Sequence, residues 1–462
     1  MTLATLPTRE TPVSKHTKPI LVGTAAGVVG ATFLLAQPAD AQPVYAVRAG
    51  NDCDSCHVEP SGWSNPELKA RECSLNCQTC HVSPTGGGMR TSSGRYYGRE
   101  MLPLFGHRPS ADAKPIAEKT EGKFRLLNGF SGWSPGTTSS HDIPDRYGKI
   151  PAEPMFDGGG DARLMAYFPI GGSDYAAVFP MQFELYGMAR PWEHLVLYAD
   201  AGMKAHRSDF SIESNGETTV TPVSEWFRVR EVFAKIDHLP YNSYVRAGRF
   251  NPPFGWRLPD HTSFIRRSLG FDQDRQVFGV EGGINPNYLF AEAAVFKQGV
   301  DWWPGDSGEP GWGVSATGGY RELGWQAGAS LAYVSEKDGG RQIIAGPLWA
   351  LNAYPIAWMA EVDIRHETGG LNGPTNGLYG YQEVQYLFTR GVAAKLKFDW
   401  LDPNIAWKDD HQNRITLGAD FHPYTGVEIE PQYRRTYTGG GALTIGSEVT
   451  SDEFLIMTHA WL

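Results

Sequence analysis

From residue 161 onward, apolar and polar positions alternate along the chain. Ile356, Trp358, Ala360, Val362 and Ile364 are apolar, while Glu361, Asp363 and Arg365 lie between them. The same parity separates Val392, Ala394, Leu396, Phe398 and Trp400 from Lys395, Lys397 and Asp399. It recurs in Ile415, Leu417, Ala419 and Phe421, and again in Val427, Ile429 and Tyr433 against Glu428, Glu430 and Arg434. A period of two means strands with one apolar and one charged face. One stretch is less regular: Glu225 to His238 puts Arg228, Arg230 and Val232 on a single parity.

The breaks between these runs come in two lengths. Short ones fall near Pro191, Pro240, Pro286, Leu323, Pro355, Gly391 and Pro423. Longer polar or Gly-rich ones fall near 170–176, 206–223, 251–273, 298–311, 336–340, 367–377, 403–410 and 438–448. Seven short and eight long connectors in alternation join 16 strands, with about 19 residues for each strand and its connector. Tight turns at one end and long loops at the other are the asymmetry of bacterial outer-membrane barrels. Trp325, Tyr333, Trp349, Tyr354, Trp358, Tyr381, Tyr386 and Trp400 cluster near predicted strand ends, as an aromatic girdle requires. The last strand closes on Trp461 and Leu462, an end that looks like a barrel assembly signal with Leu in place of the usual Phe. A β-sandwich would not explain the aromatic placement, and a propeller would show a blade repeat that is absent.

Composition fits this picture. A mean hydropathy of −0.35 excludes a bundle of membrane-spanning helices but not a barrel, which hides its lipid-facing half in alternation. The 54 Gly and 12% aromatic residues point the same way. A net charge of −10 argues against nucleic acid as a partner, because phosphate neutralisation needs a basic face. Lys15 and Lys18 precede the apolar run Ile20 to Ala36, and Ala39-Asp40-Ala41 follows, so residues 1–41 read as a secretory signal peptide.

The chemistry lies in the cysteines. All five fall between residues 53 and 80, as Cys53-Asp54-Ser55-Cys56-His57, then Cys73, then Cys77-Gln78-Thr79-Cys80-His81. Two thiols three positions apart reach the two vinyl groups of one haem, and the adjacent His reaches its iron. Each unit therefore predicts one covalent haem c, held by Cys53 and Cys56 with His57 on iron, and by Cys77 and Cys80 with His81. A zinc site would leave the repeated His as coincidence, and a redox dithiol would need a βαβ context. Cys73 takes no role. His107 is the selected second axial ligand; His141, Met89 and Met101 are the alternatives, Met being more often a gap filler. The segment 84–97 reads as a flexible cationic loop that approaches haem propionates or as a plain turn-rich connection.

The expected organisation is thus all-β: signal peptide 1–41, dihaem cytochrome c segment 42–105, linker and pre-barrel segment 106–160, and a 16-stranded antiparallel outer-membrane barrel, 161–462. The lumen is expected to be aqueous, polar and mixed in sign. The 251–273 loop, with Phe254, Trp256, Arg257, Asp260, His261, Arg266 and Arg267, either folds inward or stays outside with ordinary ionic contacts. Asp409, Asp410 and His411 are donors suited to Fe(II), but a solvated charged loop is the plainer reading. No catalytic constellation is present, so an electron-transfer protein is favoured over a substrate-transforming enzyme.

In order and architecture, signal peptide, short Cys-x-x-Cys-His segment and 16-stranded barrel, the chain resembles the fused cytochrome-porins of the outer membrane. Members carry one haem within the pore, whereas this sequence has two units. The resemblance implies an electron conduit across the outer membrane, linking an extracellular donor or acceptor, iron among them, to periplasmic c-type cytochromes. The segment Gly248 to His261 also looks like a loop of porins associated with multihaem cytochromes. The alternatives are a diffusion porin with a periplasm-facing cytochrome, and a barrel-anchored dihaem redox enzyme.

Overall fold

The computed structural model describes residues 77–91, 94–95, 98, 102–105 and 155–462, apart from 172–174, 193, 206–209, 213–217, 221–225, 274, 286–287, 299–310, 323, 337–338, 370–372, 408 and 440–447. Cys53, Cys56, His57, Cys73, Met101, His107 and His141 lie outside the described residues.

Among the described residues there are 18 strands. They are β1 (Phe156–Pro169), β2 (Ala177–Trp192), β3 (Leu195–Lys204), β4 (Phe210–Ile212), β5 (Thr218–Val220) and β6 (Phe227–Leu239). Then follow β7 (Ser243–Phe250), β8 (Val277–Ile284), β9 (Leu289–Gln298), β10 (Gly311–Arg321), β11 (Trp325–Glu336) and β12 (Arg341–Ala353). The last six are β13 (Ile356–Thr368), β14 (Thr375–Thr389), β15 (Val392–Asp402), β16 (Gln412–Phe421), β17 (Val427–Thr438) and β18 (Glu448–Trp461). Strands β4 and β5 pair only with each other, as a small ribbon in the β3–β6 connection. The other 16 form one closed antiparallel barrel, sealed where β1 meets β18 with Asp161 opposite Trp461. Every barrel strand finds hydrogen-bond partners on both sides, which is what a β structure in lipid requires.

The alternation seen in the sequence decides which face meets lipid. Val178, Leu185, Val280, Val295, Leu331, Ile364 and Leu417 are each more than half exposed on the outer surface. A soluble protein would not carry such a belt. Trp192, Tyr241, Tyr354 and Tyr424 stand exposed at the short-turn end, the girdle of the periplasmic rim. Among the described residues no helix is long and apolar enough to cross a membrane.

Three sequence expectations change. The barrel begins at Phe156 rather than Asp161, because the glycines 158–160 pair with β2 while offering no side chains from which parity is readable. The irregular parity of β6 is a bulge: Ala199 pairs with Val232 but Ala201 with Val229, so Glu231, Phe233 and Lys235 face inward after the shift. Tyr381 is not part of the girdle; it faces inward and hydrogen-bonds Glu383. Trp400 does face outward but lies across Gly380, its register partner, so that a Cβ at Gly380 would sit 1.8 Å from Trp400 Cζ2.

Gly380→Ala therefore displaces a packed indole and is expected to lower barrel stability by about 1–3 kcal/mol, read as an earlier urea midpoint in detergent. Gly187→Ala, where the nearest atom would be 3.7 Å away, is the near-neutral control.

Candidate functional site

The second Cys-x-x-Cys-His unit lies inside the barrel. Cys77–Thr79 forms a single 3-10 turn, and the Cys80 and His81 amides both donate to Cys77 O, at 3.1 and 2.8 Å. Two thiols and one imidazole are thereby gathered on one turn. His81 then pairs with Arg90, and Val82 N donates to Met89 O at 3.0 Å, closing a hairpin with Gly86, Gly87 and Gly88 at its tip. All three glycines have positive φ (83°, 77° and 58°). At Gly88 the need is also steric, since a Cβ would stand 2.4 Å from Tyr198 Oη.

The wall holds this hairpin by its backbone and hydroxyls. Lys235 Nζ donates to Val82 O at 2.9 Å, Met89 N to Tyr198 Oη at 3.3 Å, and Arg246 to Ser83 Oγ and Thr85 Oγ1 at 3.1 and 3.3 Å. Arg246 is fully buried, paired with Glu281 at 2.7 Å and stacked 4.3 Å from the Phe250 ring. Further along, Arg90 lies 4.8 Å over Trp461, Arg95 pairs with Asp157 at 2.7 Å, and Leu104 N donates to His422 O at 2.7 Å. The described part of the segment thus runs from the β9–β10 side to the β16–β17 turn, across the short-turn mouth.

Segment 84–97 is accordingly not a flexible loop where it is described. Its Arg90 and Arg95 are engaged by Trp461 and Asp157. Met89 is buried with Val82 among Tyr186, Met188, Val196, Tyr198 and Phe233, the gap-filling role, and it pairs with Val82 rather than with His81. Burial, followed by the guanidinium groups of Arg90 and Arg257, pushes the His81 imidazole down to about 3, so it is neutral. Burial and then Glu292 push the Cys77 thiol up to about 11, against Arg321 and Arg257.

The other half of the lumen is filled from the outer end. The β7–β8 loop folds inward and packs Phe254, Leu258, Phe264, Ile265, Leu269 and Phe271 against Ile344, Tyr379, Tyr381 and Leu401 of the wall. Predicted lumen charges are used to hold it. Glu361 takes Arg266 at 2.8 and 3.0 Å and the Trp256 amide at 2.6 Å. Asp399 takes the Phe264 amide at 3.3 Å and Arg414 at 3.2 Å. Asp260 pairs with Arg434 at 2.9 Å and Lys397 at 3.3 Å. Arg257 crosses to the hairpin and donates to Thr85 Oγ1 at 2.7 Å. Of the two readings of the 251–273 loop, the inward one holds, and the mixed-sign wall residues Glu281, Glu361, Lys397 and Asp399 are almost fully buried, because two chain segments occupy the interior. In the Asp409–His411 group Asp409 is exposed and Asp410 half-buried, as a solvated loop requires, whereas His411 is 2% exposed.

Sequence reasoning missed Tyr198, Lys235, Arg246 and Glu281. The alternation Tyr244, Arg246 against Val245 was readable, but nothing local marks what an inward arginine will meet.

Closed, 16-stranded, apolar outside and entered by its own β7–β8 loop, the chain is a porin-like β-barrel of the outer membrane. No protein-family description and no curated protein matches it. Among solved structures it is similar to OmpT of Vibrio cholerae, at 9% identity over 66% of this chain and 97% of that one, with a TM-score of 0.48. It is likewise similar to OprB of Pseudomonas putida (11%, 66% and 94%, 0.48) and to an anion-selective porin from Comamonas acidovorans (10%, 66% and 99%, 0.47).

Arg246→Ala leaves Glu281 buried without its cation and is expected to cost about 3–5 kcal/mol, with residues 77–105 becoming protease-sensitive before the barrel unfolds. Burial would raise the Asp260 carboxyl, but Arg434 above all, then Lys397 and Arg414, hold it well below the usual range. A depressed acid stabilises above its unfolded pKa of about 3.9 and loses that contribution as pH falls through the folded value. The β7–β8 loop should therefore stay docked down to about pH 4 and release only below it, whereas Asp260→Asn should loosen it at neutral pH, both read by limited proteolysis within residues 251–276.

Proposed function

We propose that this chain is an electron conduit of the outer membrane, a relative of the fused cytochrome-porins, with one haem c at Cys77, Cys80 and His81 and a second at Cys53, Cys56 and His57. The observation that carries the reading is that the Cys77–His81 turn lies inside the barrel, on a hairpin held by the wall. The residues fit the group. His81 Nδ1 is buried without a hydrogen-bond partner, and both thiols and the imidazole sit on the same turn. When bound, the haem supplies a one-electron couple.

The chain's own residues do the rest. The wall grips the hairpin through Lys235, Tyr198 and Arg246, which fixes the turn against the β6–β8 side of the lumen. Arg257 and Arg321 are the cations nearest Cys77 that are suited to carboxylate groups of a cofactor. The apolar band of such a barrel is about 25 Å tall, too thick for one efficient electron step, so a carrier held inside divides the gap. The docked loop and the hairpin together narrow the solute path, which disfavours a diffusion porin. Periplasmic c-type cytochromes would meet the short-turn mouth, and an extracellular donor or acceptor the long loops.

Denatured chain should retain two haems by pyridine haemochrome assay, and Cys77→Ser/Cys80→Ser should retain one. Proteoliposomes enclosing a reduced dye should oxidise it when Fe(III) is added outside, and that variant should not. A fully haem-loaded sample that leaves the dye reduced refutes conduction, and large solute flux through it would restore the porin reading.

A further inference from the structure

The ties that seat the Cys77–His81 hairpin come from both ends of the sheet. Tyr198 of β3, Lys235 of β6 and Arg246 of β7 hold residues 82–89, while Asp157 of β1 takes Arg95 and Trp461 of β18 lies under Arg90. Strands β1 and β18 are the first and last of the barrel, and they become neighbours only when the seam closes. The chain then crosses the short-turn mouth, where Leu104 N donates to His422 O at 2.7 Å and Phe105 N to Pro423 O at 3.0 Å. From the other side the inward loop reaches the hairpin through Arg257 on Thr85 Oγ1.

The turn itself is locked. Its Cys80 carbonyl accepts the Thr91 amide at 3.0 Å, and a Cβ at Gly94 would stand 2.1 Å from that oxygen. Both cysteines are half-buried and carry thiols rather than a disulfide, so what encloses them is the wall around the hairpin rather than contacts on sulfur. Haem ligation makes demands that this arrangement does not meet. Each thiol adds across one vinyl group: the S–H bond and the π bond break, an S–C and a C–H bond form, and no electron is gained or lost. Both vinyl groups have to reach the same turn while the adjacent His approaches iron. A protein that presents haem for this addition has to surround residues 77–81, and a lumen already filled by two chain segments admits no second protein.

We propose that haem is joined to Cys77 and Cys80 while this segment is still extended in the periplasm, and that the barrel closes afterwards around the loaded hairpin. The proposal rests on the haem reading of the Cys77–His81 unit. The reaction class that must supply this chain to outer-membrane insertion is therefore thioether ligation on an unfolded segment. Closure of the β1–β18 seam ends access, because Asp157 and Trp461 then hold the hairpin from either side of the seam.

The test compares two preparations of the full chain. One is made in cells that ligate haem. The other is made without ligation, folded in detergent to a heat-modifiable barrel with reduced thiols, and then given ferrous protohaem and membranes carrying the ligating activity. Haem on the peptide holding residues 77–81, read by mass spectrometry, is expected in the first and not in the second, whereas the haem-free chain mixed with the same membranes as it leaves urea should gain it. A maleimide carried on a folded protein should label Cys77 and Cys80 in urea but not in the haem-free barrel. In pulse-labelled cells, haem should appear on chain that is not yet heat-modifiable, a measurement that needs no refolding. No haem at that peptide in cell-made chain overturns the haem reading and this order with it. Haem gained by the folded barrel, labelling of its thiols by the protein-borne maleimide, or a heat-modifiable haem-free chain that later gains haem in cells overturns the order alone.

Discussion

The guanidinium of Arg246 holds four parts of the molecule at once. It extends from β7, pairs with Glu281 on β8, donates to Ser83 and Thr85 of the hairpin, and donates to Asn251 O at the root of the inward loop. No part of it is exposed. A fixed cation buried this way is tolerable only if it is paired and hydrogen-bonded, and both terminal nitrogens of Arg246 are, so the wall, the hairpin and the loop constrain one another's position. Phe233 and Phe250 flank it with their ring faces, which leaves the segment little room to slide.

This constraint explains why the lumen divides as it does. The hairpin takes the half lined by β2, β3 and β6 to β9, and the β7–β8 loop takes the half lined by β11 to β17. Arg257 and Arg246 stand on the boundary and serve both. A filled interior changes what its charges do. In an open pore Glu361, Lys397 and Asp399 would steer solutes; here they are ties to Arg266, Asp260 and Arg414.

Much was legible from residues alone because lipid and lumen impose a strict period of two. Strand number, the alternation of short and long connectors, and the inward set Glu361, Asp363, Lys395, Lys397, Asp399, Glu430 and Arg434 all follow from parity. Parity fails where side chains are absent, at Gly158 to Gly160, and where a bulge resets it, between Arg230 and Val232. It also fails at Tyr381, since an aromatic near a strand end suits a girdle and a lumen wall equally. The Cys77-x-x-Cys80-His81 spacing pointed to a chemistry, yet gave no sign of the wall it would rest on.

By itself, then, the sequence determined a closed sheet of 16 strands, the face of each that meets lipid, and the spacing of the thiols and imidazoles in the Cys-x-x-Cys-His units, since these depend on local periodicity and spacing. Only the tertiary structure decided that the lumen is filled. Meetings such as Lys235 with Val82, Arg257 with Thr85 and His459 with Asp161 join residues far apart in the chain, and they exist because barrel closure brings every inward side chain to one shared axis.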